Sequence, residues 1–395
     1  MQAGFGELNT AGHRGKMTAQ LEFFPNTSKQ EVIQGDCLEV MRGMAENSID
    51  FIVTDSPYGI SFMSKGWDRG IPSIEYWQEM LRIVKPGGHL CAAGLPRMMH
   101  RLISVIEDAG WEIRDLIMHL FGQGFPKSHN FGRKLNEDWH GYGTALKPSW
   151  EGWTLAMKPI EKTYIENAEK WGVAGINVDA SRISVSEKDP NHRQNPTPNN
   201  YTSMFANIGG KTSGIIGKNE GRWPSNIILS EESAAELDQM TGVSKSTGGQ
   251  SNNALRSDQT IFGTGKDNLI KKDPGYGDVG GASRFFYCAK ASSRERNRGL
   301  EGLPLKEHYT EANPQPDRDN RKQNLVANHH PTVKPIALMK YILKLLAPPG
   351  CPVCLDPFAG SGSTLVAAKE LGISCIGIEK EEEYCEIARK RVEGA

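Results

Sequence analysis

A chain of 395 residues, 38% hydrophobic and 24% charged, has room for one large α/β domain with a sizeable insertion, or for two domains. Lys and Arg total 46 against 47 Asp and Glu, a net charge of −1 with a pI near 6.8, so any strongly charged binding face has to be local. No apolar run reaches the ~18 residues of a membrane span and no signal-peptide core stands at the N-terminus. The odd number of cysteines, 7, fits reduced thiols, and together these features predict a cytoplasmic protein.

Residues 1–20 are Gly-rich and without periodicity, which predicts a flexible lead-in. A short strand at Val32-Ile33 ends at Gly35-Asp36, and Leu38 to Met44 follows as a helical turn or two. Phe51-Ile52-Val53-Thr54 is an apolar strand stopped by Asp55-Ser56-Pro57-Tyr58-Gly59. Ile74 to Val84 has helical spacing and runs into Lys85-Pro86-Gly87-Gly88, a stop signal. Leu90 to Gly94 reads as a strand, Met98 to Ala109 as a helix, and Ile113 to Phe121 and Thr154 to Met157 as further strands.

From about residue 160 the character changes. Residues 186–220 are rich in Asn, Pro, Ser, Thr and Gly, and 243–283 carry repeated Gly-Gly and Gly-x-Gly steps, as long loops do. Trp223 to Leu229 and Phe285 to Cys288 resemble short strands between them. Regular α/β character returns with a helix from Pro335 to Leu346 and a strand, Val353-Cys354-Leu355, entering Asp356-Pro357-Phe358-Ala359-Gly360-Ser361-Gly362. A helix from Thr364 to Leu371, a strand from Cys375 to Ile378 ending at Glu379, and a helix from Glu383 to Val392 complete the chain. Cys351 and Cys354 form a lone C-x-x-C without a second pair at zinc spacing, so no metal is expected there.

Two of these turns carry chemistry. A strand, a turn with Gly360 and Gly362, a helix, a second strand and then Glu379, 19 positions after Gly360, follow the logic of a nucleotide site. The glycines let backbone approach a ligand, and a carboxylate at the second strand's end can accept from ribose hydroxyls. The turn lacks the third glycine of a dinucleotide fingerprint, which suits a nucleoside without a pyrophosphate. Asp55-Ser56-Pro57-Tyr58 stands at the carboxyl end of an apolar strand, where open α/β sheets place ligands. A carboxylate and a backbone carbonyl there could each accept one N–H of an exocyclic amino group. That draws the nitrogen toward sp³ geometry and frees its lone pair, while Tyr58 offers a ring face to an extruded base.

Together these segments resemble the DNA amino-methyltransferases that make N6-methyladenine or N4-methylcytosine. Gly35-Asp36-Cys37-Leu38 with Ile49 to Gly59 resembles their catalytic motif IV region, and His330-Pro331-Thr332-Val333-Lys334-Pro335 their motif X. Asp356 to Thr364 resembles motif I and Gly377-Ile378-Glu379 motif II. The likeness covers 31–121 and 329–392 well and the middle loosely. The catalytic motif precedes the cofactor motif, as in the β-type circular order, which argues for DNA over RNA or protein as substrate.

The resemblance implies a Rossmann-like, doubly wound, mostly parallel sheet of class I methyltransferase type, circularly permuted. Residues 21–160 and 329–395 would form the catalytic domain and 161–328 an inserted, less regular target-recognition region. It implies S-adenosyl-L-methionine as cofactor and double-stranded DNA as partner, with a flipped base. Asp55 and the Ser56 carbonyl would accept from the target amino group, with Pro57 stiffening the turn and Tyr58 stacking. Asp36, Thr332, Lys334, Asp356, Phe358, Gly360, Gly362 and Glu379 would bind the cofactor, with Thr332 and Lys334 on its methionine carboxylate. Ser56 stands where the family usually has proline, which predicts a less rigid loop.

Asp in the first position favours N6-adenine. N4-cytosine is the alternative, and a DNA-binding regulator without catalysis belongs to a different class. A restriction endonuclease partner or an orphan enzyme, and a monomer or a homodimer, all fit. Residues 181–300 hold 16 Lys and Arg against 12 Asp and Glu. Arg182, Arg193, Lys211, Lys218, Arg222, Lys271, Lys272, Arg284, Lys290, Arg294, Arg296 and Arg298 are the candidate phosphate or base contacts. Trp150, Trp153 and Trp223 are candidates for stacking or for core.

Overall fold

The computed structural model describes residues 28–59, 70–122, 124, 128–133, 135–183, 221–245, 279–289, 295, 297–301, 306–307, 325–330 and 333–395. The expected lead-in, the stretch at 186–220 and most of 243–283 lie outside the described residues, as does Thr332. The strands are β1 (Gln30–Gln34), β2 (Ile49–Thr54), β3 (Val84–Gly94), β4 (Glu112–Leu120), β5 (Trp150–Met157), β6 (Ile227–Ser230), β7 (Ser244–Lys245) and β8 (Val279–Gly280). They continue with β9 (Tyr287–Ala289), β10 (Lys306–Glu307), β11 (Leu325–Val326), β12 (Val353–Asp356) and β13 (Ser374–Glu379). The α-helices are α1 (Cys37–Arg42), α2 (Ile74–Ile83), α3 (Pro96–Asp108), α4 (Tyr164–Trp171), α5 (Glu231–Thr241), α6 (Ile336–Leu346), α7 (Ser363–Leu371) and α8 (Glu382–Glu393).

Nine strands form one sheet in the order β1-β13-β12-β2-β3-β5-β4-β6-β9. All neighbours run parallel except at β5, which is antiparallel to both β3 and β4. The chain proceeds outward from β2 to β3 on one side and from β12 to β13 on the other. The seam between β12 and β2 is therefore the topological switch point, the place where such sheets bind ligands at their carboxyl ends. The doubly wound, mostly parallel α/β sheet expected from the sequence is thus present.

Strand periodicity decides which helices cover which face. Ile52, Leu90, Ala92, Leu355 and Ile376 point to one side and pack against Met41 of α1, Trp77 and Met80 of α2 and Leu102 and Ile106 of α3. Phe51, Val53, Cys91, Ala93, Cys354 and Cys375 point to the other, against α6 and α7. Both faces are covered, so β2 is buried along its whole length, with its Asp50 paired to Lys85 and to the Val353 N–H. No described helix is long and apolar enough to cross a membrane.

Element ends follow local chemistry. Asp36 caps α1 by accepting from the Leu38 N–H at 3.1 Å, and Pro96 opens α3. Helix α2 stops at Ile83, but Val84 to Gly88 are not a loop. They begin β3, with a register shift beside Ile49 and Phe51 and with Gly87 at φ 81°. The span expected to be less regular holds α4, opened by a Thr163–Glu166 capping box, together with α5 and strands β6 and β9 of the main sheet. Phe285 ends a 3-10 turn, and the strand there starts at Tyr287.

Candidate active site

Strand β2 delivers Asp55, Ser56, Pro57 and Tyr58 to the switch point, and the adjacent β12 delivers the glycine turn. The two loops are joined directly, because Thr54 Oγ1 donates to Asp356 Oδ1 at 2.7 Å. Asp356 is 2% exposed and also accepts from the Phe358 N–H at 3.2 Å and from the Thr364 hydroxyl. Its carboxylate lies beneath the turn and shapes it. Burial pushes the Asp356 carboxyl up to about 6 in spite of these donors.

The turn is built for close approach. Gly360 has φ 52°, and a Cβ there would sit 2.7 Å from Nε2 of His330. Gly362 caps α7 at φ 77°, where a Cβ would meet Ala388. Glu379, at the end of β13, accepts from the Gly360 N–H at 2.9 Å through one oxygen and from the Glu381 N–H at 2.8 Å through the other. Burial pushes its carboxyl up. Asp36 stands at the end of the next strand, with Lys380 at 3.6 Å, and Phe358 lies 6.2 Å from the Tyr76 ring. Asp36, Glu379 and Phe358 thus stand at the carboxyl ends of three adjacent strands, β1, β13 and β12, the last of them beside β2 and its Asp55 loop. A partly open carboxylate beside a glycine turn suits a nucleoside ribose, so these residues fit the cofactor expected from the sequence.

At the catalytic loop, the Tyr58 hydroxyl donates to Asp55 Oδ1 at 2.7 Å. Ser56 is 2% exposed, and its Oγ donates to the Ala93 carbonyl at 2.9 Å. A hydrogen bond to the end of β3 thus fastens this loop where the family's proline would have stiffened it.

Lys334 is the least expected placement. Its Nζ donates to the Tyr58 hydroxyl at 2.6 Å and to Glu151 Oε2 at 2.6 Å, and lies 3.3 Å from Asp55 Oδ1. It also stands 5.3 Å above the Tyr58 ring and 5.8 Å from that of Trp153. The resemblance implies a place for Lys334 on the cofactor carboxylate, and in the structure its ammonium also belongs to the network around the Asp55 loop. Burial opposes its charge, but Asp55 and Glu151 outweigh that and hold its pKa well above the ordinary lysine value. Burial pushes Asp55 up while Lys334 pulls it down, and the balance remains raised. For Glu151 burial is again the largest effect and raises it. The Lys334 charge and the His119 hydrogen bond together outweigh burial and hold the carboxyl down at about 2.

Glu151 and His119 were not legible as site residues. They are cross-strand partners on β5 and β4, with Nδ1 of His119 3.2 Å from Glu151 Oε1. The available signal was a carboxylate inside a mostly apolar strand buried from Glu151 onward. Trp153 is core, 0% exposed, with its indole N–H on Glu151 at 3.3 Å. Trp223 is 62% exposed beneath the Arg182 guanidinium at 5.3 Å, and Arg222 and Arg284 lie over the Phe285 ring at 4.9 and 4.3 Å. Arg298 pairs with Glu370 at 2.9 Å. Arg193, Lys211, Lys218, Lys271, Lys272, Lys290, Arg294 and Arg296 lie outside the described residues.

Residues 49–390 match the family model described as DNA methylase of the N6/N4 type. Type II methyltransferase M2.DpnII of Streptococcus pneumoniae is 51% identical over 67 residues, 17% of this chain and 25% of that protein. Type II methyltransferase M2.LlaDCHI of Lactococcus lactis subsp. cremoris is 44% identical over 72 residues, 18% of this chain and 26% of that protein. The chain spans about a quarter of the length of these curated relatives. The crystal structure of the M1.HpyAVI-SAM complex aligns over 92% of this chain and 98% of that one, at 15% identity and a TM-score of 0.39. With the family model matched along most of its length, the chain belongs to the N6/N4 DNA methylase family.

Proposed function

We propose that this protein transfers a methyl group from S-adenosyl-L-methionine to the N6 amino group of adenine in double-stranded DNA, with the target base flipped out of the helix. The observation that carries this reading is the pairing of the two loops. The Asp55 loop and the Gly360 turn follow adjacent parallel strands and are tied by the Thr54–Asp356 hydrogen bond. An amino group held by the first would face a methyl donor held by the second. Glu379 and Asp36 would take the nucleoside, Phe358, Gly360 and Gly362 would pack on it, and Asp356 would act indirectly by shaping the turn.

The bound cofactor would supply an electrophilic methyl sulfonium. Asp55 accepts one N–H of the target amino group and the Ser56 carbonyl the other, so the nitrogen lone pair is freed from the ring. Asp55 and the Ser56 carbonyl would hold that nitrogen for in-line attack on the donor's methyl carbon, and the carbon–sulfur electron pair would leave with sulfur. The methylated nitrogen would then give its extra proton to the Asp55 carboxylate. Tyr58, held by its hydroxyl on Asp55 and Lys334, presents its face to the base. Residues 161–328 would read the DNA sequence, with Arg182 over the exposed Trp223 among the contacts. The cytoplasm is the proposed location.

Incubating unmethylated duplex DNA with the protein and cofactor, digesting to nucleosides and weighing them tests the reading. N6-methyladenine is expected. N4-methylcytosine alone would transfer the same mechanism to cytosine, and no methylated nucleoside would leave a DNA-binding regulator.

A further inference from the structure

Beside the Asp55 loop, Lys334 meets one more carboxylate than amino-group capture requires, Glu151 of β5. We infer that Glu151 is a positioning residue for methyl transfer: it holds the Lys334 ammonium away from Asp55, so that Lys334 grips the Tyr58 hydroxyl while Asp55 stays open to the incoming amino group. This inference rests on the methyltransferase reading of the Asp55 loop.

The distances carry it. Lys334 makes short bonds of 2.6 Å to both Glu151 Oε2 and the Tyr58 hydroxyl, and only a long 3.3 Å approach to Asp55 Oδ1. One ammonium between two carboxylates is drawn toward both, and it settles on Glu151. Glu151 can hold it there because it is itself held. His119 Nδ1 at 3.2 Å and the Trp153 indole N–H at 3.3 Å converge on Oε1, leaving Oε2 for Lys334. Both supports stand on β4 and β5, paired in register near the middle of the sheet, so the sheet itself fixes the anchor.

Burial points the same way. The Glu151 side chain is 10% exposed and the Lys334 side chain 11%. Sinking a carboxylate into the apolar β5 costs desolvation that an apolar residue would avoid, so a buried pair of this kind does not serve stability well. With the Glu151 charge gone, Asp55 would be the one carboxylate left beside Lys334. The 3.3 Å gap would close, and the ammonium would compete with the substrate for the Asp55 lone pairs.

The groups facing Asp55 are Lys334, Tyr58 and Glu151, with Asp356 on the neighbouring strand end; those facing Glu151 are Lys334 and His119. Glu151 repels the Asp55 charge, so its removal moves the Asp55 titration to lower pH.

The test is Glu151→Gln in the full chain, with tritiated S-adenosylmethionine and unmethylated genomic duplex DNA. Expected is a kcat lower by roughly 10- to 100-fold, with KM for DNA within about 3-fold and the acid limb of the kcat profile displaced to lower pH. Carbon-13 NMR of labelled aspartates, assigned with Asp55→Asn, should show Asp55 titrating lower in the free variant. Glu151→Asp, which keeps the charge, should leave the acid limb where the wild type has it. A wild-type rate with an unmoved Asp55 titration in Glu151→Gln would overturn the inference, and so would a slow variant whose acid limb and Asp55 titration stay in place. If the wild type transfers no methyl group while the Asp55 titration still moves in Glu151→Gln, the methyltransferase reading fails and the Glu151–Lys334–Asp55 coupling stands.

Discussion

Thr54 donates its hydroxyl proton to Oδ1 of Asp356 at 2.7 Å, joining two strand ends 302 positions apart in the chain. Both residues are buried, Thr54 at 0% and Asp356 at 2% exposure, and together they set the catalytic loop and the glycine turn at a fixed spacing. For an in-line transfer between two bound groups that spacing is the critical quantity, since small misplacements cost large factors in rate.

The buried Asp356 gives stability a pH dependence. Its folded value of about 6 lies above its ordinary value of 3.8, so between these the folded state binds the extra proton. This contribution is fully present below the lower value and is lost as pH rises through the upper one. In Asp356→Asn the amide oxygen can accept from Thr54 and Phe358 while its NH₂ meets the Thr364 oxygen. Wild-type stability relative to this variant should therefore fall between about pH 4 and pH 7, by at most about 3 kcal/mol. Urea midpoints across that range check it; a flat difference would mean that Asp356 does not titrate there.

Gly360→Ala meets two separate penalties. A left-handed φ of 52° costs a non-glycine residue about 1–2 kcal/mol, and the new Cβ would lie 2.7 Å from His330 Nε2. Removing the ring in His330→Ala relieves the second penalty and leaves the first. The cost of Gly360→Ala should be smaller in the His330→Ala background than in the wild type, measured by a double-mutant cycle of unfolding free energies. Equal costs would show that His330 yields freely.

Asp55 and Glu379 should separate chemistry from cofactor binding. Asp55→Ala is expected to lower transfer by at least about 100-fold while changing cofactor affinity by less than about 3-fold. Glu379→Ala, which deletes the acceptor proposed for the ribose, should weaken cofactor binding by roughly 10- to 100-fold. Calorimetric titration with S-adenosylmethionine, beside the transfer assay, checks both. Parallel loss of affinity and rate in Asp55→Ala would remove it from its assigned place.

Much of this was legible in the chain because the information is local. The apolar run Phe51 to Thr54 had to be a buried strand, and the polar turn after it had to stand at that strand's carboxyl end. The spacing of strand, turn, helix and strand put Glu379 at a strand end near the glycine turn, and the structure adds left-handed backbone at Gly360 and Gly362 and the Gly360 N–H on Glu379. Only the tertiary structure could set Glu151 against Lys334, 183 positions apart, or choose His119 as the partner of Glu151, because strand register depends on which faces are buried and not on any one segment. It also set Lys334 between Asp55 and Glu151, since its ammonium is held by buried carboxylates that come from two strands elsewhere in the sequence.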